Sequence, residues 1–329
     1  MRAGILCMLH QQIKEVRVKR YIVSPTFLPV IMVIVLMMTA STGASDDGQQ
    51  LTTGWQSPSE ELLQVLHSPQ LPWVWISPTG DYMFLADPML YPPLAELAAP
   101  MHKLAGMRVN PAINGRHGQY GGTSPRLVRS EDGVTTPLNL PEGAEVDDVV
   151  WTVDGKRFAL IVIHTDHIGL WVGSVEGEVK KIENIALNPL MGTAVSWLPD
   201  QKRLLIRRIP KRGPAPQPPV IPAGPEIIEG VGASARSTYE ARNLIETAHD
   251  EVLFEYYTTS ELVIFDTVTG DVKIIGKSAP YYTTEFSPDG KYILIERLVK
   301  PWSHEVARWR FAREVEVWNA QGHLVANIA

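Results

Sequence analysis

Thr284-Glu285-Phe286-Ser287-Pro288-Asp289-Gly290-Lys291-Tyr292-Ile293-Leu294-Ile295 opens a stretch, ending at Trp318, whose reading decides the fold. Pro288 pre-sets φ for a tight turn, and Gly290 tolerates the positive φ at its end. Tyr292 to Ile295 then alternate and run apolar, which predicts a β-strand. After a connection containing Pro301, Val315-Glu316-Val317-Trp318 predicts a second strand. Asn319-Ala320-Gln321-Gly322 is another turn, and His323-Leu324-Val325 begins a third strand.

The same unit recurs upstream. Trp75-Ile76-Ser77-Pro78-Thr79-Gly80-Asp81, Trp151-Thr152-Val153-Asp154-Gly155-Lys156-Arg157 and Trp197-Leu198-Pro199-Asp200-Gln201-Lys202-Arg203 each lead into an apolar strand. Each unit is followed by a second hairpin, with turns at Glu131-Asp132-Gly133, Val175-Glu176-Gly177 and Val268-Thr269-Gly270-Asp271. Four short strands per unit with aromatic and glycine punctuation is how a propeller blade reads. A β-sandwich would not need one turn to recur ahead of one strand four times. The expectation is an all-β chain of about four recognisable blades over 73–329. Because the fourth unit completes at Asn327-Ile328-Ala329, the propeller is expected to be incomplete.

Insertions are expected at about 87–122 and 210–249. The second begins with Pro210 and runs through Pro214, Pro216, Pro218 and Pro219, so an extended, exposed path is predicted. A short helix is placed between Tyr239 and His249. Ahead of the blades, 45–72 reads as a linker with a short helix, in which Ser57 caps, Pro58 enters the first turn and Glu60 reaches back. Residues 1–44 have the order of a secretory signal: Lys14, Arg17, Lys19 and Arg20, an apolar run from Phe27 to Met38, then small residues up to Ala44. An uncleaved membrane anchor is the alternative, and would be the chain's one route to a membrane. A periplasmic or secreted location follows.

Composition narrows the chemistry. The 329 residues are 45% hydrophobic and 20% charged, with a net charge of −6, so nothing marks a nucleic-acid binder. The single cysteine, Cys7, lies in the leader, which excludes thiol catalysis and disulfides from a processed chain. A serine hydrolase writes its nucleophile as Gly-x-Ser-x-Gly. Half-matches around Ser124 and Ser234 lack the last glycine. His164-Thr165-Asp166-His167 is the one cluster resembling a metal site, and its place between two strands reads better as a polar turn. His102, His117, His249 and His304 are isolated, while Asp266, Asp271 and Asp289 sit where short carboxylates stabilise turns. Trp151, Trp171, Trp197 and Trp318 are read as equivalent packing positions. No catalytic, cofactor-binding or metal residue is therefore assigned, and no cofactor is expected.

With the repeats in place, the sequence resembles the N-terminal propeller part of the prolyl oligopeptidase family of serine peptidases, in its glutamyl endopeptidase branch. The resemblance rests on Pro92 to Ala98 with Lys103 to Val109, on the Pro-rich segment to Pro225, on Asp250 to Tyr257 leading to Leu262, and on Pro301 to Trp318. It implies a propeller that screens peptides before they reach a Ser-Asp-His triad in an α/β-hydrolase domain. No triad residue matches a position here, so no hydrolysis is expected of this chain alone, and peptide substrates only where it is joined to a catalytic domain. The rival expectation is a free-standing exported propeller, similar to TolB, that binds a protein or peptide partner.

Overall fold

A computed structural model of the chain describes residues 57–218 and 243–329. The expected leader over 1–44, residues 219–232 of the Pro-rich stretch, Ser234 and residues 239–242 lie outside the described residues. Among the described residues, no helix is long and apolar enough to cross a membrane. The chain forms two compact units, divided between Ser68 and Pro69.

In the shorter unit, α1 (Glu60–Leu66) is capped by Ser59, whose Oγ accepts the Leu62 N–H at 3.4 Å. The expected cap was Ser57. Ser59 takes the place instead, its backbone extended at φ −60° and ψ 155° as a cap requires. Glu60 and Glu61 then occupy the first turn, where free N–H groups favour negative charge.

The larger unit opens with β1 (Trp73–Ile76) and β2 (Tyr82–Pro88). An insertion follows, holding α2 (Leu94–Leu97), β3 (His102–Leu104), β4 (Met107–Asn110) and β5 (Gly115–Arg116). Then come β6 (Gly122–Arg129) and β7 (Thr135–Pro137). The next four strands are β8 (Glu145–Trp151), β9 (Arg157–Ile163), β10 (Ile168–Ser174) and β11 (Val179–Ala186). After them β12 (Val195–Trp197) and β13 (Arg203–Arg208) precede α3 (Ala248–Thr258), β14 (Ser260–Asp266) and β15 (Val272–Ala279). The last four are β16 (Tyr281–Phe286), β17 (Tyr292–Leu298), β18 (Arg313–Asn319) and β19 (Leu324–Asn327).

These strands make four antiparallel blades, β1-β2-β6-β7, β8-β9-β10-β11, β12-β13-β14-β15 and β16-β17-β18-β19. The first two touch through one pairing, Gly122 with Val146. Among the described residues no strand of the first blade pairs with the fourth, so the sheets do not close. Side chains alternate between faces along a strand, and the cores accordingly lie between blades. Phe84 and Leu127 meet Phe158 and Leu160 between the first and second. Ile161 and Leu170 meet Leu204 and Ile206 between the second and third. Leu205 and Ile264 point the other way and meet Ile293 and Ile295 of the fourth.

Register corrects one sequence equivalence. The last pairs before the first turn of each blade are Ile76–Met83, Trp151–Phe158, Trp197–Leu204 and Phe286–Ile293. Ile76, not Trp75, is therefore the counterpart of Trp151. The four tryptophans are not all equivalent either. Trp151 and Trp197 occupy the same place on first strands, whereas Trp171 and Trp318 lie on third strands at different places, Trp318 opposite Ile293 and Trp171 opposite Leu160.

The turns hold as their chemistry predicts. Gly80, Gly155, Gln201 and Gly290 have φ of 77, 67, 57 and 69°. The hydroxyls of Ser77, Thr152 and Ser287 accept the N–H groups of Tyr82, Arg157 and Tyr292 at 3.1, 3.0 and 3.0 Å. In the third blade Leu198 has no hydroxyl, and Asp200 accepts from Lys202 and Arg203 instead, at 2.9 and 3.0 Å.

Candidate functional site

Because neighbouring strands run antiparallel, the connection from second to third strand leaves each sheet at the same end as the link between blades. The two insertions, between β2 and β6 and between β13 and β14, are of this kind, and so is a third long connection between β17 and β18, so their described parts gather on one face. There they share a core separate from those between the blades: Leu104, Met107 and Val109 from the first insertion, Phe254 and Tyr257 from α3, and Trp302 and Phe311 from the fourth blade. Phe254 packs edge-on against Trp302 and Phe311, with ring centroids 5.1 and 5.5 Å apart. Main-chain bonds stitch the segments together, Gly106 N–H to Asn243 O at 2.7 Å and Arg308 N–H to Ala105 O at 3.0 Å.

A short helix is expected between Tyr239 and His249; among the described residues of that stretch, helix begins only at Ala248 and runs on to Thr258. Its start is set by a reciprocal cap, in which Thr247 Oγ1 accepts the Asp250 N–H at 3.1 Å and Asp250 Oδ2 accepts the Thr247 N–H at 2.9 Å.

Beneath this layer a cleft of about 930 Å³ opens between β12 and β16, the first strands of the third and fourth blades. Three arginines line it. Arg116 ends β5, Arg207 lies on β13, and Arg308 begins a single 3-10 turn, Arg308–Arg310. Arg207 is 2% exposed. Its Nη1 donates to the carbonyls of Tyr281 and Tyr282 at 2.9 and 3.4 Å, its Nη2 donates to Thr193 O, and its Nε has no partner. Burial pushes its pKa down to about 10, so it stays charged at neutral pH.

The Arg308 Nε is likewise buried without a partner, and its Nη1 lies 3.5 Å from Gly106 O. Burial first, and then the charge of Arg116, hold the Arg308 pKa below the usual arginine range, against an opposing pull from Tyr282. Among the described residues, none of the three guanidinium groups has an ion-pair partner. Two carboxylates belong to the surroundings. Glu285 lies on the same wall towards the Ser287 turn. Asp147, whose pKa burial raises, feels the Arg116 charge and accepts from Gln119 Nε2.

The histidine cluster stands apart, in the turn between β9 and β10. His164 N–H donates to His167 O at 2.9 Å, the two rings stack at 4.6 Å, and His167 Nδ1 lies 2.6 Å from Asp166 Oδ1. Burial, followed by the charge of His167, lowers the His164 pKa. Among the described residues no group of three or more histidine, cysteine or acidic side chains could hold a metal. Ser124 lies inside β6, in a strand that leads to another strand. His102 packs against Tyr257 at 5.4 Å, His117 Nε2 lies 3.1 Å from Ala99 O, and His304 Nε2 lies 2.7 Å from Glu251 Oε1. The structure thus scatters the residues singled out in the sequence and gathers three arginines that were not.

No family model matches the chain. The probable chloroplastic glutamyl endopeptidase of Arabidopsis thaliana is 31% identical over 309 residues, covering 89% of this chain and 32% of that protein. Its namesake in Oryza sativa subsp. japonica is 33% identical over 294 residues, 84% of this chain and 31% of that one. Among solved structures, the acylaminoacyl peptidase of Pyrococcus horikoshii gives a TM-score of 0.40 at 13% identity, over 78% of this chain and 33% of its own. The β-propeller domain of the Trilobed protease from Pyrococcus furiosus gives 0.40 at 12%, over 79% and 58%. The chain spans about a third of the length of the curated relatives it matches. Across that span it is related to the glutamyl endopeptidases of the prolyl oligopeptidase family, and corresponds to the β-propeller part of that family.

Proposed function

We propose that this chain is the peptide-admitting propeller of an exported serine peptidase of the glutamyl endopeptidase kind, and that it breaks no peptide bond by itself. The carrying observation is the 31% identity that extends over 89% of the chain. Two insertions and the connection between β17 and β18, fused into one apolar layer, give the blades a built face, under which an extended chain has room beside β12 and β16. The 329 residues hold no Gly-x-Ser-x-Gly, the turn that presents an activated serine beside its oxyanion donors. Export is proposed from the basic, apolar and small-residue order of the leader.

The test is direct. Purified chain is incubated with a fluorophosphonate probe and, separately, with fluorogenic peptides containing glutamate. The expected result is neither covalent labelling nor turnover, together with saturable binding of the same peptides. Turnover or labelling would overturn the proposal, and binding of folded proteins in place of peptides would favour a TolB-like partner-binding role.

A further inference from the structure

We infer that the turn between β9 and β10 is a pH-sensitive latch on the insertion layer: its stacked pair, His164 and His167, holds the turn in place while one ring is neutral and releases it when both are charged. The latch stands whatever the cleft between β12 and β16 admits.

The closed state is built from the turn's own contacts. His164 N–H donates to His167 O at 2.9 Å and closes the hairpin. The two imidazoles lie face to face, with 4.6 Å between centroids and 18° between planes. Gly169 leaves room for them. A Cβ there would stand 3.1 Å from His164 Nε2 and 3.4 Å from His167 Nε2, so both nitrogens crowd over one bare stretch of backbone.

The rings differ in what supports a proton. His167 Nδ1 lies 2.6 Å from Asp166 Oδ1, so an imidazolium there is paired. His164 Nε2 is buried with no partner, and a charge on that ring would meet the His167 charge across the stack. Burial first, then His167 and Lys181 of β11, lower the His164 pKa, with Asp166 pulling the other way. The neighbouring elements add further ions. The first insertion brings Glu96, Arg116 and His117 to the His164 side, and β8 brings Glu145, whose Oε2 accepts the Gly121 N–H at 2.8 Å. The second insertion brings two cations, Lys211 and Arg212, to the His167 side. Among the described residues none of these groups forms an ion pair with either ring.

Placement makes the turn a latch. On one side it walls a cavity of about 380 Å³ together with Pro111, Ala112 and Ile113 of the first insertion. On the other it walls a cavity of about 460 Å³ with Pro210, Arg212 and Tyr256 of the second. The turn thus stands between two insertions, and its departure loosens both. The fold favours the neutral His164 ring. Its contribution is therefore complete above the unfolded histidine value of about 6.5, and is lost as pH falls from there through the folded value. The latch is shut at neutral pH and opens in mild acid.

The test is hydrogen–deuterium exchange on the full chain at about pH 7.5 and about pH 5, with rates corrected for the intrinsic effect of pH. Acid should remove protection from the turn and from the β4–β5 segment it touches, by up to about tenfold per pH unit, the limit for uptake of one proton. His164→Gln and His167→Gln each allow one charge at most, and each should flatten the response. Asp166→Asn withdraws an exposed anion that favours charge on His164, so it should move the response to lower pH. It also keeps the test readable should a glutamine variant fold poorly. Unchanged protection in the parent, a loss spread evenly over all four blades, or the full response in both glutamine variants would overturn the latch.

Discussion

Gln201 Oε1 accepts the backbone N–H of Asp154 at 2.8 Å, tying the first turn of the third blade to that of the second. Gln201 also holds φ of 57°, at the position where the other three turns have glycine. The side chain thus offsets a strained backbone with a bond between blades. Gln201→Ala keeps the strain and loses the bond, and should destabilise by about 1 kcal/mol. Gln201→Gly loses the bond and the strain together, so it should be about 1 kcal/mol more stable than the alanine variant. Urea unfolding of both variants checks the order.

Trp197 Nε1 donates to Val150 O at 2.8 Å, and Trp151 Nε1 donates to Trp75 O at 3.2 Å, one blade earlier. Phe286 occupies the equivalent place in the fourth blade and has no N–H to give. Arg157 also stacks on the Trp197 ring, at 5.2 Å from its centroid. Trp197→Phe should therefore cost about 1–3 kcal/mol in denaturant unfolding, through the lost bond and lost packing. A cost near zero would show that this rung between blades carries no stability.

Gly276 lies against the Trp318 indole, where an added Cβ would come within 2.3 Å of the ring, and its φ is 67°. Trp318 is pinned in turn by its Nε1–H to Glu316 Oε2 at 2.8 Å. Gly276→Ala combines a left-handed backbone with overpacking and should cost about 2–4 kcal/mol. Thermal melting reads this directly.

Two carboxylates should give stability opposite pH dependences. The Thr152 hydroxyl, and then the Lys156 N–H, hold the Asp154 pKa below the usual carboxylate range. Its contribution is present above the unfolded value of about 3.9 and is lost as pH falls through the folded one. Asp147 is the reverse case, raised by burial and then by Asp148, against the Gln119 bond and Arg116. Its neutral form suits the fold, so stability is lost as pH rises from about 3.9 through the folded value. Asp154→Asn should flatten the acid side of a stability profile taken from about pH 3 to about pH 7, and Asp147→Asn should raise stability near neutrality.

The blades were legible in the sequence because their turns are local chemistry. Proline, aspartate and glycine at fixed offsets dictate the turn whatever surrounds it, as Ser287, Asp289 and Gly290 do. Register was less legible, since Trp75 and Ile76 are both apolar and only the pairing of Ile76 with Met83 decides between them. The helix at Ala248 had a signal that was passed over, the Thr247-Ala248-His249-Asp250 box. The basic cleft had none. Arg116, Arg207 and Arg308 come from separate segments, and only the stacking of blades and the folding-over of insertions bring them together.

The central claim is that an extended peptide lies along the facing edges of the third and fourth blades, and hydrogen–deuterium exchange on the full chain tests it most directly. With a glutamate-containing peptide bound, slowed exchange should concentrate in β12 and β16, with a smaller effect around Arg116 and Arg308. Protection confined to the outer strands β15 and β19, or no protection at saturating peptide concentrations, would contradict it.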